Sequence, residues 1–117
     1  MLAAILMLIT AQHCAEPSFC PTREELKIAI QVWRAKRDWE MMSAANEADP
    51  NNITLITPFR LLRVTDVYCD EPWGEPRSIN CHAMLHYSRS RINQISRLTR
   101  SADGWQIEES TEVSRDR

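Results

Sequence analysis

Thr22-Arg23-Glu24-Glu25-Leu26-Lys27-Ile28-Ala29-Ile30-Gln31-Val32-Trp33 opens the one long stretch of this chain that carries a helical period. Thr22 followed by Glu25 is a capping box: the threonine hydroxyl accepts from the Glu25 amide, and the Glu25 carboxylate reaches back to the Thr22 amide. Apolar residues then recur at helical spacing, with Leu26, Ala29, Ile30 and Trp33 along one stripe. Ile28, Val32, Ala35 and Trp39 widen the stripe into a broad face, and Trp33 and Trp39 are expected to fill core space beneath it. Lys27, Gln31, Arg34 and Lys36 stay polar. The spacing predicts a helix from about Arg23 to about Ala45, stopped by Asn46, Asp49, Pro50, Asn51 and Asn52.

Beyond the helix the period falls to two. Phe59 to Cys69 reads as a strand, and its adjacent Leu61 and Leu62 call for a bulge or for burial on both faces. Asp70 to Pro76, with two prolines and Gly74, is a loop carrying Trp73 near its tip. Ile79, Cys81, Ala83, Leu85 and Tyr87 alternate cleanly and share one face of a second strand. Ser88-Arg89-Ser90 turns the chain into a third strand, about Ile92 to Thr99. Ala102-Asp103-Gly104 marks a hairpin, and Trp105 to Glu108 a fourth strand. The expectation is α+β: one long N-terminal helix packed on a curved four-stranded antiparallel meander.

Met1 to Ala11 contains no charge and is too short to cross a hydrocarbon core, which needs about 20 residues. Its length suits the apolar region of a signal peptide. No Lys or Arg precedes the run. Cleavage is expected after Ala15 or, as the alternative, after Ala11; Ala11-Gln12-His13 before Cys14 makes a poor lipoprotein signal. The organisation read from this is a signal peptide at 1–15, a single domain at 16–110 and a polar tail at 111–117, with a periplasmic or secreted location. A formal net charge of −2 supplies no field favouring nucleic acid or an anionic membrane. The expected partner is another protein, with no membrane span and no cofactor.

Of the cysteines, Cys69 and Cys81 fall on neighbouring strands joined by one loop and are expected to pair. Cys14 and Cys20 form a second bridge if cleavage follows Ala11; if it follows Ala15, Cys20 is left as a free thiol or an intermolecular link. Cys-x-x-Cys spacing does not occur, so zinc is not expected.

Ile92 to Ile107, running through Asp103-Gly104-Trp105, resembles the terminal hairpin of the nuclear transport factor 2-like superfamily, and the order of helix then antiparallel sheet is similar to the wider cystatin-like architecture. The resemblance implies an α+β fold that in different members serves as enzyme, ligand-binding cup or secretion scaffold. This chain has one main helix where that superfamily usually has three, which implies a pocket that is shallow or absent. It has no Gln-x-Val-x-Gly segment, so the protease-inhibiting wedge of cystatins is not implied.

Candidate chemistry is sparse. His82 and His86 stand on the face opposite Cys81 and Leu85, roughly 13 Å apart at strand spacing, too far to share one metal. Asp66 on the neighbouring strand is a partner for acid–base work. The competing reading is two solvated histidines on a polar sheet face. Arg89, Arg91, Arg97 and Arg100 gather around one hairpin, with Arg60, Arg63 and Arg77 as further members; Glu108, Glu109 and Glu112 neutralise part of that charge. Trp73, Arg89, Arg91 and Arg97 are the expected partner contacts. Asn52-Ile53-Thr54 matches an N-glycosylation acceptor. A binding or assembly domain is the function these residues favour. The alternatives are a small enzyme or ligand cup built on His82, His86 and Asp66, or an inhibitor acting through the Pro-rich loop.

Overall fold

The computed structural model describes residues 12–52 and 60–113. The apolar segment Met1 to Ala11, the end of the glycosylation tripeptide (Ile53 and Thr54) and Phe59 lie outside the described residues.

Helix α1 runs from Arg23 to Ala48, one turn longer than its sequence suggests. The capping box is formed in both directions: the Glu25 amide donates to Thr22 Oγ1 at 3.0 Å, and the Thr22 amide donates to Glu25 Oε1 at 2.8 Å. Glu24 and Glu25 place negative charge at the positive end of the helix dipole. At the other end the Asp49 amide closes on the Ala45 carbonyl at 3.1 Å, and Pro50 follows.

Five strands form one sheet in the order β1 (His13–Cys14), β2 (Arg63–Cys69), β3 (Ser78–His86), β4 (Arg91–Ser101), β5 (Gly104–Glu112). The architecture is α+β, but the sheet is mixed. β2 to β5 make an antiparallel meander, and β1 adds a fifth strand parallel to β2, pairing His13 with Tyr68 and Cys14 with Cys69. The segment β1–α1–β2 is therefore a crossover unit, the connection that two parallel strands require. The purely antiparallel four-stranded expectation fails here because a two-residue strand has no period to read.

β5 also outruns its expected end. It reaches Glu112, which pairs with Gln94, and the Val113 amide donates to the Asn93 carbonyl at 2.8 Å. Gly104, at φ 114°, turns the chain into it.

The core lies between the inner sheet face and the first turns of α1. Leu26, Ala29 and Ile30 are buried there against Val64, Val67, Leu85 and Leu98. The alternating set Ile79, Cys81, Ala83, Leu85 and Tyr87 is buried throughout, as its spacing requires. In β2 the alternation is broken by a register shift between Thr65 and Tyr68, where Asp66 takes a left-handed φ of 54°. The extra residue lets Val64, Val67 and Cys69 all face inward. A bulge does exist, but it lies beyond Leu61 and Leu62, of which the first is buried and the second exposed.

Only part of the broad helix face is covered. Ile28, Val32, Trp39 and Met41 are 56%, 65%, 64% and 55% exposed, and Trp33 is only partly buried. The placement of Trp39 in the core is thus corrected. A 26-residue helix spans about 39 Å, whereas five strands span only about 19 Å. One sheet this narrow covers a single stripe of such a helix, and the Leu26–Ile30 stripe takes it.

Candidate functional site

The outer face of the sheet carries the even-numbered side chains of β3. His86 Nε2 lies 2.6 Å from Thr65 Oγ1, between its register partners Arg63 and Arg91. Partial burial and those two guanidinium groups hold its pKa below the ordinary histidine value, with Asp66 opposing weakly. His82 takes different neighbours. Its Nε2 is 3.5 Å from Asp70 Oδ2, and its ring meets Tyr68 edge-on at 5.9 Å. Asp66 is exposed at the bulge. The three sequence candidates therefore do not converge: His86 pairs with the Thr65 hydroxyl, His82 pairs with Asp70, and Asp66 joins neither pairing. Sequence reasoning missed Asp70 and Tyr68. A signal was available: pairing Cys69 with Cys81 sets Tyr68 against His82 and brings Asp70 within reach.

Trp73 sits in a tight loop, bonded both ways to Ser78: its amide donates to the Ser78 carbonyl and its carbonyl accepts from the Ser78 amide, each at 2.8 Å. The indole is 47% exposed and shares a shallow concavity of about 330 Å³ with Pro76, Arg97 and Thr99. Two of the expected contact residues, Trp73 and Arg97, thus come together. Arg89 and Arg91 lie at the β3–β4 turn, at the opposite end of the sheet. The remaining arginines disperse as well. Arg97 meets Glu109 at 3.5 Å, Arg100 lies over the Trp105 ring at 5.3 Å, and Arg77 lies over Phe19 at 4.8 Å while facing Glu16 at 3.8 Å.

On the inner side, two neighbouring clefts of about 390 and 430 Å³ run between α1 and the β4–β5 ribbon. Trp33 and Arg37 line both, and the Arg37 guanidinium stacks over the Trp33 ring at 4.9 Å. Arg34 donates to Tyr87 Oη at 3.2 Å, and burial raises the Tyr87 pKa. The floor of the first cleft is polar. Gln94 donates to Ser110 Oγ, and Ser96 and Ser110 share a hydrogen bond at 2.9 Å. Val32, Trp105 and Ile107 supply apolar wall to the second cleft, beside Lys36, Glu40 and Glu108. The exposed helix residues rise beside these clefts at heptad spacing: Ile28, Val32, Ala35 and Trp39.

The cysteines are all used. Cys69 bonds to Cys81 with Cα atoms 4.1 Å apart, and Cys14 bonds to Cys20 with Cα atoms 6.2 Å apart. Among the described residues, the one cluster of metal-ligating type is Cys14, Cys20 and Cys69, whose sulfurs lie within 4.8 Å of one another. Comparison with family models, with curated proteins and with solved structures found no match.

Proposed function

We propose that this chain is an exported, disulfide-stapled binding domain that docks an amphipathic helix of a partner protein along the uncovered face of α1. The observation that carries this reading is the row Ile28, Val32, Ala35 and Trp39. Four residues at the spacing of a coiled-coil seam face solvent instead of the sheet. The clefts beside the row are lined by both signs of charge, Arg34, Arg37 and Lys36 against Asp38, Glu40 and Glu112, which suits a mixed-charge partner rather than a polyanion. His82 and His86 sit in separate pairings and Asp66 joins neither, an arrangement that favours binding over hydrolytic or isomerising chemistry.

Export is supported by the two disulfides, which persist in oxidising compartments. Among the described residues, no helix is long and apolar enough to cross a membrane. β1 bears on processing: removal of everything through Ala15 would delete His13 and Cys14 and leave Cys20 without its bridge. The mature chain in this reading begins at Gln12, whose side-chain amide donates to the Pro21 carbonyl at 2.5 Å. The helix-then-meander order supports kinship with the nuclear transport factor 2-like and cystatin-like architectures.

Site-specific photocrosslinking in the producing cells tests the docking surface. A benzophenone side chain at Val32 or Trp39 is expected to capture one discrete partner, while the same group at Tyr68 or Trp73 gives none. Adducts confined to Tyr68 and Trp73 would move the interface to the outer sheet face and the loop, and no adduct at either helix position would end the proposal.

A further inference from the structure

Three cysteines stand in one row across the sheet. The β1–β2 register pairs Cys14 with Cys69, and the β2–β3 register pairs Cys69 with Cys81. Cys69 therefore has a cysteine on each side and is bonded to only one of them. Adjacent strands lie about 4.8 Å apart, inside the range of about 4.4–6.8 Å that a disulfide demands between Cα atoms. The register therefore sets Cys14 opposite Cys69 at a spacing compatible with a disulfide. Cys14, Cys20 and Cys69 already have their sulfurs within 4.8 Å of one another. Exposure differs between the two bridges: Cys14 and Cys20 are partly accessible, whereas Cys69 and Cys81 are buried.

We propose that the two bridges form a single thiol–disulfide exchange site, in which an external dithiol reduces the outer pair and Cys14 passes the change inward to Cys69. A thiolate of the dithiol attacks Cys20 Sγ, forming a mixed disulfide and expelling Cys14 as thiolate. The second thiol of the reagent displaces Cys20, leaving with the reagent's own disulfide. Cys14 then attacks Cys69 Sγ. The Cys14–Cys69 bond forms, the Cys69–Cys81 bond breaks, and Cys81 leaves as a thiolate that takes a proton from water. The balance is one dithiol oxidised by two electrons, with Cys20 and Cys81 reduced to thiols and two disulfides converted to one. The Gln12 amide group, 3.5 Å from Cys14 Sγ and 3.6 Å from Cys20 Sγ, is placed to donate to the sulfur that carries the transient charge.

The test uses the full oxidised chain and one molar equivalent of dithiothreitol at about pH 8, where thiolates exchange. Trapping with N-ethylmaleimide, cleavage at Glu16 and at the arginines, and mass spectrometry of the non-reduced peptides then assign each sulfur. The expected product links Cys14 to Cys69 and carries label on Cys20 and Cys81. Label on Cys14 and Cys20 with Cys69–Cys81 intact would overturn the proposal, as would first reduction of the buried pair. A C20S chain leaves Cys14 unpaired from the start, and its Cys81 is expected to take label without any reductant. A C14S/C20S chain should show none there. Should C20S misfold by circular dichroism, the experiment on the unaltered chain decides alone.

Discussion

Asp66 holds its backbone at φ 54°, in the left-handed region that β-branched and bulky residues avoid, and aspartate tolerates that region better than most. Its role is geometric, since the bulge it makes turns Val67 and Cys69 inward. His86 lies beside it and carries a pH consequence. Its folded-state pKa is held below the unfolded value, so the unfolded chain binds the proton more readily. The contribution is neutral above about pH 6.5, and stability falls as pH drops below that value until the depressed folded pKa is passed. Thermal melts between neutral and acidic pH should show this fall, and His86→Gln should reduce its slope. Thr22 is the other residue with an isolable role. Thr22→Ala removes the acceptor for the Glu25 amide and should cost about 1 kcal/mol in urea denaturation, with Thr22→Ser restoring most of it.

α1 divides into a buried stripe and an exposed one, so substitutions two positions apart should differ sharply. Ile30 is fully buried, and Ile30→Ala should cost about 2–5 kcal/mol through lost transfer energy and the cavity left behind. Val32→Ala, at an exposed position, should stay within about 0.5 kcal/mol. Paired urea titrations check both values; equal losses would show that the outer stripe is buried after all. The sequence displayed the helix, its cap and its apolar residues without ambiguity. It did not display how many of those residues the sheet would cover, because periodicity records which side chains are apolar and not the width of the surface that meets them. Trp39 is the clearest case. In β2, the residues Leu61 and Leu62 signalled an irregularity, but the bulge formed where Asp66 could take the left-handed turn.

At the scale of the molecule, the bridges act on the unfolded chain. Cys69–Cys81 closes 12 residues and Cys14–Cys20 closes 6, and the chain-entropy model assigns about 3 and about 2 kcal/mol to loops of these lengths. Replacing each pair by serine and measuring unfolding should reproduce that order. Loss of the first pair should also loosen β2 from β3 in hydrogen exchange, whereas loss of the second should release β1 alone. Serine variants of equal stability would mean that the bridges act on the folded state rather than on the chain's freedom.

By itself the sequence determined the class of the fold, the start of the helix, the inward face of β3 and the pairing expected of Cys69 with Cys81. Each is local, written in spacing that a helix or strand repeats over many residues. The tertiary structure alone decided that His13 and Cys14 form a parallel strand and that Cys14 comes to stand beside Cys69. It also decided which stripe of α1 stays in water. These depend on register and on the crossing of one element over another, and no short-range pattern carries the position of a partner brought from fifty residues away.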